Sequence, residues 1–494
     1  MNHYNQLLEI SNQLGVIQGI SSQLQWDSIT YIPKNGIQGR ADQLAFMSKL
    51  FNKKLTSSTV GTLLNSLMKK LDDFDGFQRR NISVFNKEFE RMTKVPLELL
   101  SELRKLTSKG QNTWAKAREK KDFKMLKPEL DEIIKLKKKI ASYINPSVSP
   151  LDVFIDQFEP GMNSSLITSI FNNFRPKLIR LLEKCNKSDL NNKKTKFNIT
   201  MPRNVQEAFL KDIVAYLGYN FDSGRLDQTE HPFTIGGKGD VRITTNYNEK
   251  NFVSSLFGAM HEAGHGIHNQ NIPQENYFMP VNLFGGSAGF AESQSRFFEN
   301  IIGKSPEFWD YYFPRFLELT KKEINEDDFV IHINQVRPSK IRIFADELTY
   351  QLHIMLRYEI EEEIFNKDLP THEFPQIWNE KVEKFLGLEI ENDAEGVLQD
   401  VHWAGNYFGY FPTYTLGNLY NAQIYNTLRK KIEFEESLLN GNIGVVKQWL
   451  VDNVHLKTGY YDPSTFLEKI TNEPLNSDYF INYLTKRYEK LFQI

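Results

Sequence analysis

A chain of 494 residues is long enough for a large hydrophobic core and more than one subdomain. Hydrophobic residues make up 40% and charged residues 25%, with a formal net charge of −2, which points to a globular protein and away from nucleic acid as the main partner. The one cysteine, Cys185, excludes an intramolecular disulfide and fits a cytoplasmic setting, and no apolar run approaches the roughly 18 residues of a membrane span.

Residues 1–9 are polar and open a helix rather than a signal peptide. Leu7, Leu8, Ile10, Leu14, Ile17 and Leu24 recur at three- and four-residue steps, which predicts a helix over 4–24. After a Pro/Gly turn at 33–36 the pattern resumes over 38–72, and 76–143 reads as long, charge-laced helices interrupted near Pro96. Within it the basic run 135–139 reads as a solvated helix face. Pro146 and Pro150 break the chain, Pro160-Gly161 marks a turn, and 163–186 and 203–217 are helical again. Val241, Ile243 and Thr245 then alternate with Arg242 and Thr244 behind turn glycines, the signature of a strand. A sheet edge there offers strand addition to an extended peptide; a plain structural hairpin is the other reading.

Phe252, Val253, Leu256, Phe257, Met260 and Ile267 predict a helix that starts at Asn251 or Ser254. It carries His261-Glu262-Ala263-Gly264-His265, a zincin-like HExxH motif. Residues i and i+4 share a face, so the two imidazoles can hold one metal ion. Glu262 projects beside the open position, where it can act as general base toward a metal-activated water. Gly264 and Gly266 each cost about 1 kcal/mol relative to Ala, which implies close approach by another backbone. A third protein ligand is required. Position 271 is Asn, His268 lies three residues past His265, Glu275 sits in a Pro-containing loop, and Glu299 comes a turn late. Glu292 is the best placed, after Gly285-Gly286-Ser287 and before Phe297, Phe298 and Ile301, although a solvated helix-start carboxylate fits it too. Arg296, one turn on, can pair with a carboxylate. Helices resume after 303, with a long one over 340–365 whose acidic run at 359–363 reads as a solvated face. Residues 405–414 form a Gly/aromatic loop suited to a site wall.

Ordered along the chain are Trp26-Asp27 with Thr30, Pro33, Gly36, Arg40 and Gln43; Asp156 with Glu159-Pro160-Gly161; His231-Pro232-Phe233; and Asp240-Val241-Arg242-Ile243-Thr244. The zinc motif, Glu292-Ser293-Gln294, Arg342 within 338–342, and Gly409-Tyr410-Phe411-Pro412-Thr413-Tyr414 follow. Over nearly its full length the chain resembles the M32 family of zinc metallocarboxypeptidases. The resemblance implies a mainly α fold with a small β-sheet beside a deep active-site groove. Residues 1–494 are expected to form a single unit, with a helical part (about 1–230) and a metal-site part (about 231–494) forming the groove. It implies His261, His265 and Glu292 as metal ligands and Glu262 as catalytic base. One Zn²⁺ per subunit is expected, with Co²⁺ or Mn²⁺ as possible substitutes, in a homodimer that removes C-terminal residues from peptides. Two positions depart from the family pattern: Ala291 stands where His is common, and Phe344 where an acidic residue is frequent.

That chemistry needs a donor for the oxyanion, for which His231, Tyr410 and Tyr414 are candidates. It also needs a cation for the free C-terminal carboxylate of the peptide substrate. Arg342 is the leading candidate because guanidinium matches carboxylate bidentately, with Arg357 and Arg242 as rivals. His402 either supports the site or caps a helix. An endo-acting metallo-oligopeptidase at the same site is the alternative function, and a helical binding protein with a vestigial metal site is the more distant one.

Overall fold

The structure, a computed structural model, describes residues 3–195 and 200–494; Met1 and Asn2 of the predicted opening helix lie outside the described residues. Helices build almost all of it, and no described helix is long and apolar enough to cross a membrane. The first helix runs His3–Thr30, longer than its apolar periodicity predicts. The predicted 38–72 segment is two helices, Ile37–Leu55 and Ser58–Met68, because Ser57 accepts the Val60 amide and restarts the chain. Segment 76–143 is three helices, Gly76–Lys94, Leu97–Lys120 and Lys127–Ile144, with the expected break at Pro96 and a second where Lys121 turns left-handed.

Among the described residues two hydrophobic cores form. The larger draws on residues from Val95 to Phe492 and holds Trp309, Tyr358 and Trp378 fully buried. Each such large side chain contributes roughly 1.5–3 kcal/mol on burial. The smaller joins Tyr4, Leu7, Leu14, Leu64 and Phe85 of the N-terminal helices, with Leu283 and Phe284 packed against it.

The sheet has three strands in the order β1-β3-β2, with β1 Leu226–Gln228, β2 Thr234–Gly237 and β3 Asp240–Thr245. β3 pairs in parallel with β1 and antiparallel with β2, which leaves β2 on an edge. Val241, Ile243 and Thr245 are buried as the alternation predicts, but Thr244 is buried as well, its hydroxyl bonded to Thr229 and to Phe233, and Ile243 packs at Gly266 of the next helix.

Three expectations need correction. Residues 340–348 hold one 3-10 turn, Arg342–Phe344, and no α-helix: the Asp346 carboxylate accepts the amides of Leu348 and Thr349, so the long helix spans Thr349–Asn366 only. The basic run is not wholly solvated, since Lys137 is buried with its ammonium 3.9 Å from the centre of the Phe154 ring. Burial, with Arg91 nearby, pulls Lys137 down to about 7. The acidic run likewise has a buried member. Glu361 accepts the Trp403 indole N–H at 2.9 Å and the Gly409 amide at 2.8 Å, and so anchors the aromatic loop from beneath.

Candidate active site

The histidine helix runs Phe252–Gln270, and of its two predicted starts Asn251 is the cap, accepting the Ser254 amide at 3.3 Å. The glutamate helix runs Ala288–Arg296 and is capped by Ser287. They cross at Gly264, where a Cβ would stand 2.6 Å from the Gln294 carbonyl oxygen and 2.7 Å from the Ser295 Cα. This is the close backbone approach that the glycine predicts. A third helix, Pro412–Leu428, crosses at Gly417, whose Cβ would meet the Glu292 Cβ at 2.8 Å. Glu292 is thus held on one side by the histidine helix and on the other by the helix that begins with the aromatic loop.

His261 Nε2 and His265 Nε2 each lie 3.6 Å from Glu292 Oε2. One ligand atom from each residue falls within 4.8 Å of the others. Two imidazoles and one carboxylate are a donor set for a divalent ion such as zinc, with a coordination position left open. The far side of His261 supports this fit. Its Nδ1 lies 2.8 Å from Glu299 Oε2, which fixes the proton on Nδ1 and leaves the Nε2 lone pair for an ion. Arg296 donates to Glu292 Oε1 at 2.7 Å and to Glu299 Oε2 at 2.9 Å. Burial lowers the His261 imidazole, but Glu292 and Glu299 outweigh it and hold it at about 9. Burial raises Glu292, yet Arg296 and the imidazoles keep it well below the usual carboxylate range.

Glu262 is buried beside the triad, and Thr234 Oγ1 on β2 donates to its Oε2 at 2.6 Å. The other third-ligand candidates are elsewhere. His268 faces Thr458, 2.8 Å from its Oγ1, and burial lowers it to about 4. Glu275 is exposed in its loop. Behind the glutamate helix lies Glu159, whose carboxyl accepts Ser287 Oγ at 2.7 Å, the Gly289 amide at 2.9 Å and Tyr420 OH at 2.9 Å.

The candidate substrate residues separate clearly. Arg342 is buried at the start of the 3-10 turn, where Nε and Nη2 donate to Asp400 Oδ1 at 3.0 and 2.7 Å and Nη1 donates to Tyr350 OH at 3.0 Å. Its guanidinium also lies 5.2 Å from the Tyr414 ring centre. Tyr410 and Tyr414 pack edge to face at 5.2 Å. Burial raises both phenols, with the Glu292 charge adding to the effect on each. Tyr414 stands in the first turn of the helix that Pro412 opens, so the predicted loop ends before it. His402 Nε2 lies 3.4 Å from Tyr414 OH, and burial lowers this histidine to about 4. His231 is exposed and lines an open groove of about 590 Å³ with Trp114, Arg118 and Glu395. The two rival arginines are each held by a carboxylate. Arg357 is sealed against Trp378 and paired with Asp400. Arg242 pairs with Asp240 and lies 4.5 Å over the Trp26 ring. Sequence reasoning missed Glu299, Thr234 and Asp400 as partners; only Glu299 left a trace, three residues after Arg296.

Residues 6–488 match the family described as carboxypeptidase Taq (M32) metallopeptidase. The chain belongs to that family. It is 39% identical to Carboxypeptidase 1 of Bacillus subtilis (strain 168) over 95% of this chain and 94% of that one. Thermostable carboxypeptidase 1 of Thermus thermophilus is 33% identical, with 99% of each chain covered. Among solved structures, Metallocarboxypeptidase 1 of Trypanosoma cruzi superposes with a TM-score of 0.94 at 32% identity, over 100% of this chain and 99% of that one. The M32 carboxypeptidase of Deinococcus radiodurans R1 superposes with a TM-score of 0.93 at 30% identity, with 100% of both chains covered. This M32 protein is therefore a metallocarboxypeptidase, a peptide hydrolase with the family's mainly helical fold.

Proposed function

We propose that the enzyme removes the C-terminal residue of peptides with Glu262 as general base and Arg342 as the reader of the free carboxylate. The observation that carries this reading is the convergence of His261, His265 and Glu292 beside a Glu262 already held by Thr234. The three ligands would hold Zn²⁺, or Co²⁺ or Mn²⁺ in its place; when bound, such an ion supplies a Lewis acid and lowers the pKa of water toward about 7. Thr234 occupies Glu262 Oε2, so Oε1 is the atom that accepts the proton of the attacking water. Glu262 then returns that proton to the leaving amine. Tyr410, Tyr414 and His231 are the donors available to the oxyanion. Asp400 and Tyr350 take three of the five N–H groups of Arg342. The two left over match the two oxygens of a terminal carboxylate.

Residues 1–494 are proposed to act as one unit, supported by a major core that draws on both the helical part and the metal-site part. A cytoplasmic homodimer completes the proposal, supported by the family resemblance and the single cysteine.

A mass-spectrometric time course on one peptide, with a free or an amidated C-terminus and with or without chelator, tests the reading. The free peptide is expected to lose residues one at a time and the amidated peptide to resist; chelator is expected to stop the cleavage of the free peptide. Glu262→Gln is expected to lower kcat by roughly 10²–10⁴ while the bound metal stays. Equal cleavage of the amidated peptide would establish the endo-acting oligopeptidase instead.

A further inference from the structure

A cavity of about 260 Å³ opens beside the metal ligands without including them. Its wall is more apolar than polar and comes from four directions: Gly19 and Ser22 on the first helix, Gly236 on β2, Ala291 on the glutamate helix, and Phe278 and Phe466. At about 30 Å³ per water it has room for roughly nine waters, or one large side chain.

Its position relative to the proposed carboxylate reader is fixed by a chain of contacts. Arg342 donates to Tyr350, and the Tyr350 ring lies 4.7 Å from the Arg296 guanidinium. Arg296 bridges to Glu299, and Glu299 holds His261. Arg342 therefore lies to the His261 side of the triad. The cavity lies to the other side. His268, one turn past His265, lines it, and Gly236 lies beyond Thr234, the residue of β2 that holds Glu262. A peptide with its carboxylate at Arg342 and its last bond at the triad extends its remaining residues past Thr234 of β2 toward this cavity.

We propose that the cavity is a specificity subsite for a large apolar or aromatic side chain upstream of the scissile bond. The inference rests on the carboxypeptidase reading above, with Arg342 as the anchor. The shape of the wall supports it: Gly19 and Gly236 bring no side chain, so an entering side chain meets backbone and the rings of Phe278 and Phe466.

The wall also supplies the test. A Cβ at Gly19 meets nothing within 4 Å, so Gly19→Leu starts into open space at the cavity wall and improves the helix. Peptides with one common C-terminal residue would carry Phe or Ala at each upstream position in turn, and kcat/KM would be measured for each. The parent enzyme is expected to prefer Phe roughly tenfold or more at one position. Gly19→Leu, and separately Ser22→Leu, should abolish that preference and leave the Ala peptides unchanged; thermal unfolding checks that each variant is folded. A parent with no upstream preference overturns the proposal. So do two folded variants that keep the preference, or that slow Phe and Ala peptides equally. An amidated arm separates the two readings. Its rapid cleavage sinks the carboxypeptidase reading, whereas an intact free-carboxylate requirement with unselective variants sinks the subsite alone.

Discussion

Glu299 acts on His261 through both geometry and charge. Its carboxylate fixes the Nδ1 proton of the ring, and Arg296 shares that carboxylate with Glu292, so three charged side chains compensate one another behind the triad. Glu299→Gln keeps the side chain's shape and an acceptor but removes the charge that makes the imidazole basic. Metal affinity is expected to fall 10–100-fold, read by competition with a chromophoric chelator; an unchanged affinity would leave Glu299 a packing residue only. This contrast sets what single residues reveal. His261, Glu262 and His265 were legible because i, i+1 and i+4 spacing fixes their relations within one helix. The role of Glu299 was not legible, because it needs the crossing of two helices: it stands too far along its own helix to share an ion with Glu292, yet the His261 ring spans the gap. Lys137 and Glu361 were misread for the same reason, since their burial comes from tertiary neighbours in runs whose composition is that of a solvated face.

Helix placement explains why Glu292 points where it does. Gly264 and Gly417 let two helices approach the glutamate helix, and the first of these was readable from its unfavourable place mid-helix. The helix Thr349–Asn366 was overextended toward residue 340 because periodicity does not register that the Asp346 carboxylate competes for the amides of Leu348 and Thr349. The N-terminus of the glutamate helix is pinned by Glu159. Burial pushes its carboxyl up to about 7, beyond what the Ser287, Gly289 and Tyr420 hydrogen bonds offset. A folded pKa above the unfolded value of 4.5 means the native state holds a proton that the unfolded chain releases. The contribution to stability is therefore full below about pH 4.5 and is lost as pH rises through about 7. It is on the order of 3 kcal/mol. Glu159→Gln carries no titrating proton. The thermal midpoint of the parent is thus expected to fall relative to Glu159→Gln between pH 5 and 8. Parallel pH profiles for the two proteins would show that Glu159 is ionised throughout.

The two hydrophobic cores divide the molecule unequally, the smaller one built on the N-terminal helices and the larger one from Val95 onward. The N-terminal layer, residues 3–94, meets the rest through directed contacts as well as through Phe85, which packs edge to face on Phe284. Ser11 donates to the Phe278 carbonyl, Gln23 to Asp240, Tyr31 to Asp227, and Arg80 to the Gly459 carbonyl. The helix Ile37–Leu55 buries only Leu55, and the core beneath this layer is the smaller of the two. Local opening costs least where few apolar contacts must break. Amides around Leu7 and Leu14 are therefore expected to exchange with solvent deuterium at a lower opening free energy than those around Leu352 and Leu356 in the major core. Peptide-resolved hydrogen exchange under conditions where closing is fast reads this directly. Equal protection in the two regions would mean that the cores open as one body. The consequence reaches the active site, because Gly19 and Ser22 of this layer form one wall of the cavity beside the metal ligands.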